Sequence, residues 1–204
     1  MTGQGQFDFV SSSVVEGLQY VPDYLDTDTE AALVNFIDQQ PWRNDLARRV
    51  QHHGYVYDYR TRQIRPDMYL GEIPAPFATL AQRLVAGGHF ARLPDQVIVN
   101  EYMPGQGIAP HTDCILCFGD TIASVSLLSA CEMEFLHPPT GQREALYLEP
   151  GSLLVLSGPA RYHWRHTIRP RRSDVVGGVR LQRTRRLSLT FRSVRLQREM
   201  KPFR

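Results

Sequence analysis

An α+β fold whose body is a β-sandwich or jelly roll is predicted by three observations. Two stretches of helical periodicity precede Gly88. From Val97 to Val194 the pattern changes to short alternating runs separated by Pro and Gly turns. At 204 residues the chain makes one domain, which buries about 70% of its unfolded surface on folding. Many short strands after two helices suit a double sheet that holds a small molecule between its walls.

In order along the chain, residues 1–16 are expected to be flexible, 17–96 to carry the helices and a substrate-facing segment, 97–195 the sheet core, and 196–204 a basic tail. Gly17 to Tyr24 is a short apolar, extended stretch. Thr27-Asp28-Thr29-Glu30 reads as a capping box, and Leu33, Phe36 and Ile37 give the helix after it an apolar stripe. That helix stops near Gln40, because Pro41 disfavours helical geometry in the residue before it. In RRVQHHGYVYDYRTRQIRP the alternation of Tyr55, Tyr57 and Tyr59 argues for a strand with the tyrosines on one face. A second helix is expected from Pro76 to about Ala86, with Phe77, Leu80 and Leu84 facing a core, and Gly87-Gly88 ends it. Strands are then expected over Val97–Met103, Ile122–Ser129, Glu132–Leu136, Glu144–Leu148, Ser152–Ser157, Arg161–Ile168 and Arg186–Val194.

Charge is distributed unevenly. Residues 158–204 carry 14 Lys or Arg against Asp174 and Glu199, a balance of +12, whereas the first 157 residues carry 9 basic and 19 acidic side chains, a balance of −10. The basic end is where a polyanion would sit. The tyrosine row with Arg48, Arg49, His52 and His53 is either ordinary sheet packing or a surface on which bases stack. No apolar run approaches 18 residues, and MTGQGQFDF lacks the basic-then-apolar order of a secretory signal. A cytoplasmic monomer with no membrane partner is therefore expected. Three cysteines fit a reducing compartment, with Cys114 and Cys117 expected as partly buried thiols.

The chemistry centres on VIVNEYMPGQGIAPHTD. Residues i and i+2 of an extended chain project to one side, so His111 and Asp113 offer an imidazole and a carboxylate to the same point. A facial two-histidine, one-carboxylate iron site needs one more histidine, and His137, His163 and His166 are the candidates. His166 shares strand parity with Tyr162 and Trp164, opposite Arg161, His163 and Arg165, but parity does not choose among them.

Four pieces together, Asn100-x-Tyr102, PGQGIAPHTD, SGPARYHWRHTI and RRLSLTFR, give the chain a pattern H-x-D … H … R-x5-R that resembles the AlkB-like Fe(II)/2-oxoglutarate dioxygenases. The resemblance covers about residues 17–195. It selects His166 and implies a double-stranded β-helix with His111, Asp113 and His166 as the catalytic metal ligands. It further implies Fe(II) and 2-oxoglutarate as cofactors and O2 as a reactant, with Arg186 and Tyr102 holding the far carboxylate and Arg192 and Asn100 the iron-proximal one. An arginine fork matches a carboxylate bidentately, each charge-assisted hydrogen bond contributing about 1.5–3 kcal/mol. Ser188 stands where some relatives have asparagine. The implied reaction couples decarboxylation of 2-oxoglutarate to succinate and CO2 with hydroxylation of an alkyl C–H. On a base nitrogen this ends in dealkylation.

The implied partner is alkylated DNA or RNA, single-stranded or with its target base flipped out. Arg48, Arg49, His53, Tyr55, Tyr57, Arg161, Arg171, Arg172 and Arg183 are the candidate substrate contacts. Relatives that repair methylated DNA often carry an acid two places after the iron aspartate, where this chain has Ile115. Much of the sequence is more similar to the branch containing the oxygenase domain of the animal tRNA wobble-uridine hydroxylase, which makes RNA a candidate. A 2-oxoglutarate oxygenase acting on protein or a small molecule, and a non-catalytic nucleic-acid-binding module, are the readings from other classes.

Overall fold

The structure, a computed structural model, describes residues 15–44 and 46–196. The ends expected to be a flexible segment and a basic tail lie, for residues 1–14 and 197–204, outside the described residues. Twelve strands and three helices are described, namely β1 (Leu18–Val21), α1 (Thr27–Asp38), β2 (Val50–His53), α2 (Ala75–Ala86), β3 (Gln96–Tyr102), β4 (Ile108–His111), β5 (Phe118–Leu127), β6 (Cys131–Leu136), β7 (Arg143–Leu148), β8 (Leu153–Leu156), α3 (Gly158–Tyr162), β9 (Arg165–Ile168), β10 (Ser173–Val176), β11 (Val179–Gln182) and β12 (Arg186–Val194). They form a six-stranded sheet in the order β1-β8-β5-β12-β3-β2, a four-stranded sheet in the order β4-β9-β6-β7, and the separate hairpin β10-β11. Every strand pairing is antiparallel. This is the jelly roll with N-terminal helices that the sequence predicts.

All nine residues of β12 are buried, because β3 and β5 pair with its two edges and both its faces are covered. Side chains alternate across a strand. Leu187, Leu189 and Phe191 therefore face Leu33 and Ile37 of α1 and Phe77, Leu80 and Leu84 of α2 in one apolar cluster. Ser188, Thr190 and Arg192 face the other way, into a cavity between the two sheets. Around that cavity Ile122, Leu154 and Leu156 of the larger sheet share a second cluster with Met133, Phe135 and Ile168 of the smaller. Helices on one face and a second sheet on the other thus leave a space lined by the polar row of the central strand.

Several expected elements differ in detail. The helix cap is Asp26, whose side chain accepts from the Thr29 amide at 2.7 Å, while Glu30 accepts from the Leu128 amide at 2.7 Å. The capping box therefore splits into a local cap one residue earlier and a tether to the β5–β6 turn. The tyrosine strand ends at His53, because Gly54 has φ +77° and a Cβ there would lie 1.9 Å from the Asp95 carbonyl oxygen. Beyond it Tyr55 and Asp58 make isolated bridges to Tyr69 and Gln63. The strand expected over Arg161–Ile168 starts only at Arg165; before it Gly158, at φ +45°, and Pro159 turn the chain into the short α3. Between the strands expected over Arg161–Ile168 and Arg186–Val194 stands an extra hairpin, β10-β11, turning on Gly177 and Gly178, both at positive φ. Cys114 and Cys117 form a disulfide, not two thiols, because the turn brings their Cα atoms to 5.3 Å; Cys131 is free and buried.

That hairpin is fastened by a buried charge cluster. Asp174, 1% exposed, accepts two hydrogen bonds from Arg183 at 2.6 Å each and a third from Arg171 Nε at 2.8 Å, while Arg171 also reaches Glu132 on β6. Burial pushes the Asp174 carboxyl up, but the hydrogen bonds and charges of Arg183 and Arg171 outweigh it and hold the group below its ordinary 3.8. Asp174→Asn should cost about 3–5 kcal/mol, because it strands a buried guanidinium without its counter-charge. A carboxyl with a depressed folded pKa contributes fully above its unfolded value and loses that contribution as pH falls through the folded one. The difference between wild type and Asp174→Asn in denaturant melts should therefore be constant above about pH 5 and shrink as pH is lowered below about 4. A pH-independent difference would show that packing, not charge, holds the hairpin.

Candidate active site

The cavity between the sheets has a volume of 620 Å³ and contains His111, Asp113 and His166 in its lining, with Asn100, Tyr102, Ser188 and Arg192. His111 and His166 are register partners on β4 and β9, with ring centroids 4.3 Å apart. The Ala109 carbonyl can only accept, so its 2.8 Å contact with His111 Nδ1 puts a proton on that nitrogen and leaves Nε2 as the one available to a metal. Burial pushes His166 down to about 3, with His111 adding to the effect, so its imidazole is neutral, the form that binds a metal. Asp113 follows the end of β4 and is 9% exposed. Burial raises its carboxyl, but the Arg192 charge beside it holds it well below the usual carboxylate range.

Arg192 Nη2 donates to Asp113 Oδ1 at 2.8 Å, and its guanidinium lies 4.7 Å from the Phe118 ring centroid. Six residues earlier on the same strand face, Arg186 is 2% exposed, pairs in register with Tyr102, and donates through Nη2 to Ser126 Oγ at 2.8 Å. In both arginines Nε and Nη1 are buried without a hydrogen-bond partner. Buried polar groups are nearly always satisfied. Arg192 lines the cavity, whereas Arg186 lies outside its lining in a smaller pocket that shares Tyr102 and Ile168 with it. With Cα atoms roughly 20 Å apart along one strand, the two guanidinium groups, each with two unmet nitrogens, offer separate places for an acid group. Ser188, hydrogen-bonded to Ser124 at 2.8 Å, lies between them on that face.

In kind, the donor set fits Fe(II), two neutral imidazoles and an ionised carboxylate on one wall of a cavity. Among the described residues, however, no three His, Cys, Asp or Glu side chains are already gathered closely enough to hold one ion. Asp113 is instead engaged by Arg192. The unmet arginine donors likewise fit a dicarboxylate such as 2-oxoglutarate.

The remaining expected contacts separate into four groups. Arg48 and Tyr57 line the cavity, Arg48 donating to Asn100 Oδ1 at 2.9 Å. Arg49, His53 and Tyr55 are not in its lining. Arg49 makes a two-pronged pair with Glu101 at 2.6 and 2.7 Å. His53 packs on Phe77 of α2, where burial takes it down to about 4. Tyr55 packs on Tyr69. Arg171 and Arg183 are spent on Asp174, leaving Arg172 as the exposed member of that trio. Arg161, 2% exposed, is no surface contact. Its guanidinium donates to the carbonyls of Asp113 at 3.0 Å, Cys114 at 3.1 Å and Gly119 at 3.4 Å, so it clamps the loop that presents Asp113. Tyr59, Arg62 and Arg165 also line the cavity and were not singled out from the sequence. Tyr59 shares the parity of Tyr57, a usable signal; Arg62, at φ +54° in an irregular turn, offered none.

Residues 38–192 match the family model of the 2OG-Fe(II) oxygenase superfamily. The chain is 36% identical over 204 aligned residues to the Alkylated DNA repair protein ALKBH8 homolog of Arabidopsis thaliana, covering 89% of this chain and 59% of that protein. It is 34% identical over 210 residues to the tRNA (carboxymethyluridine(34)-5-O)-methyltransferase alkbh8 of Xenopus tropicalis, covering 91% of this chain and 33% of that one. The chain thus spans well under two thirds of either relative. In structure it is similar to OsALKBH1, with a TM-score of 0.66 at 17% identity over 87% of this chain and 96% of that one.

Two substitutions test the site. Arg186→Ala should raise the 2-oxoglutarate concentration for half-maximal succinate formation on the order of 10- to 100-fold, and Arg186→Lys should rescue it only partly for want of a fork. An unchanged requirement would put the anchor elsewhere. Arg161→Met should leave the carbonyls of Asp113, Cys114 and Gly119 without their donor and weaken Fe(II) binding on the order of 10- to 100-fold in a metal titration, with the circular dichroism spectrum kept. Wild-type Fe(II) affinity in that variant would show that the Asp113 loop is held without the clamp.

Proposed function

We propose that this chain, which belongs to the 2OG-Fe(II) oxygenase superfamily as an AlkB-like member near the ALKBH8 branch, oxidises a modified or alkylated base in single-stranded or flipped-out nucleic acid, giving succinate and CO2. One observation carries the choice of substrate. Arg48, Arg62 and Arg165 line the cavity and, among the described residues, none has a carboxylate partner, although Arg49, Arg171, Arg183 and Arg185 each have one. Cations without a counter-charge beside a cavity that also contains Tyr57 and Tyr59 suit a phosphate backbone whose base enters against aromatic rings. The two tyrosine rings meet edge to face at 5.0 Å.

In this reading His111, Asp113 and His166 hold Fe(II), Arg186 with Tyr102 binds the far carboxylate of 2-oxoglutarate, and Arg192 with Asn100 binds the near one. Fe(II) with 2-oxoglutarate and O2 supplies the oxidation of an unactivated C–H bond. The protein's own part is to orient and to exclude water: Arg161 fixes the Asp113 loop, Ser188 and Thr190 floor the cosubstrate row, and Ile122, Leu154 and Leu156 line the cavity with apolar surface. Two places beyond Asp113, Ile115 is 46% exposed and outside the cavity lining, so no carboxylate stands there for an exocyclic amine. That supports a modified RNA base as the target over a methylated adenine in DNA.

The Fe(II)-loaded protein, given 2-oxoglutarate and O2, should form succinate with a coupled mass change on tRNA, and less on methylated or etheno-adducted DNA. Asp113→Ala should abolish both signals on the same substrates. Coupled turnover on a peptide or metabolite panel, with none on any nucleic acid, would overturn the reading.

A further inference from the structure

A second groove of 510 Å³ opens beside the cavity and shares two of its residues, Thr112 and Arg165. Its other lining side chains are His137, Tyr162 and His163, with Pro138 and Pro139 as the rim. The volume falls within the range of small-molecule sites, about 300–1,000 Å³. Strand parity explains why the two spaces adjoin: His111 and Asp113 turn into the cavity, so Thr112 between them turns out. Its hydroxyl donates to the Trp164 carbonyl at 3.2 Å, tying the end of β4 to the start of β9 and fixing the wall between the spaces.

The groove has the chemistry of a nucleotide seat. No acid lines it, and Arg165 and His163 are exposed. The nearest carboxylate in the contacts of its lining, Asp120, accepts from the Tyr162 hydroxyl and pairs with Arg195 at 2.7 Å, so its charge is already met. The surfaces are flat and stiff. His137 lies over the buried Trp164 ring at 5.1 Å and 33°, its Nδ1 is held 2.8 Å from Thr140 Oγ1, and the two prolines that follow have fixed φ. A cationic edge with a stacking floor is how single strands are gripped without base-specific contacts.

Resting on the reading of the substrate as nucleic acid, we propose that this groove holds the nucleotide next to the one in the cavity, its phosphodiester on Arg165 and His163 and its base against His137 and the Pro138-Pro139 rim. Arg165, common to both spaces, grips the phosphate between the two nucleotides. The strand therefore leaves the cavity across Thr112.

Fluorescence anisotropy of the full chain with labelled octanucleotides, one RNA and one DNA, at several salt concentrations tests this. His163→Glu, which puts a negative charge where the phosphodiester would lie, should weaken binding of the octanucleotide about tenfold and flatten the slope of log affinity against log salt. Pro139→Glu, at the exposed rim, should weaken binding in the same direction, and circular dichroism checks that both variants fold. Wild-type affinity and slope in both folded variants, with wild type itself binding, would overturn the groove and leave the substrate class standing. Failure of wild type to bind either octanucleotide would overturn the groove together with the nucleic-acid reading.

Discussion

Everything in this fold is arranged around a strand that is buried on both faces. β12 has partners at both edges and helices against its apolar side, so its polar side faces only the space between the sheets. A buried guanidinium is expensive unless it is paired and hydrogen-bonded. The chain supplies part of the compensation, Asp113 for Arg192 and Ser126 for Arg186, and leaves two donors of each guanidinium unmet. The two-sheet wrap creates this electrostatic need, and a dianionic cosubstrate is the natural answer to it.

The same strand explains why the Asp113 loop is so heavily constrained. Arg192 holds its carboxylate, Arg161 holds its carbonyl, and the disulfide between Cys114 and Cys117 closes the turn that follows. Sites that must present several ligands to one point gain from such support, because small misplacements weaken metal binding substantially.

Over the rest of the molecule, arginine divides into structural and available groups. Arg49 and Arg185 share Glu101, and Arg185 also reaches Asp38; Arg171 and Arg183 share Asp174; Arg169 meets Glu134. The strong positive balance of the C-terminal segment is thus substantially consumed inside the chain. Of the arginines with no carboxylate partner among the described residues, Arg48, Arg62 and Arg165 line the cavity, and Arg172 and Arg180 are exposed at the hairpin.

Local pattern determined much of this in advance. The apolar stripes of α1 and α2, the run of strands after Val97, and the alternation that puts His111 with Asp113 and Arg186 with Arg192 follow from backbone periodicity, which is a property of neighbours in sequence. Such periodicity said nothing about which arginine meets which acid. Arg161 became a clamp because α3 packs behind the Asp113 loop, His53 turned to the helix side because β2 pairs with β3 in one register, and Arg183 vanished into Asp174 because the Gly177-Gly178 turn folds its strand back. Chain segments far apart in sequence supply those partners, and the desolvation that decides whether a charge is structural or available exists only once they are packed together.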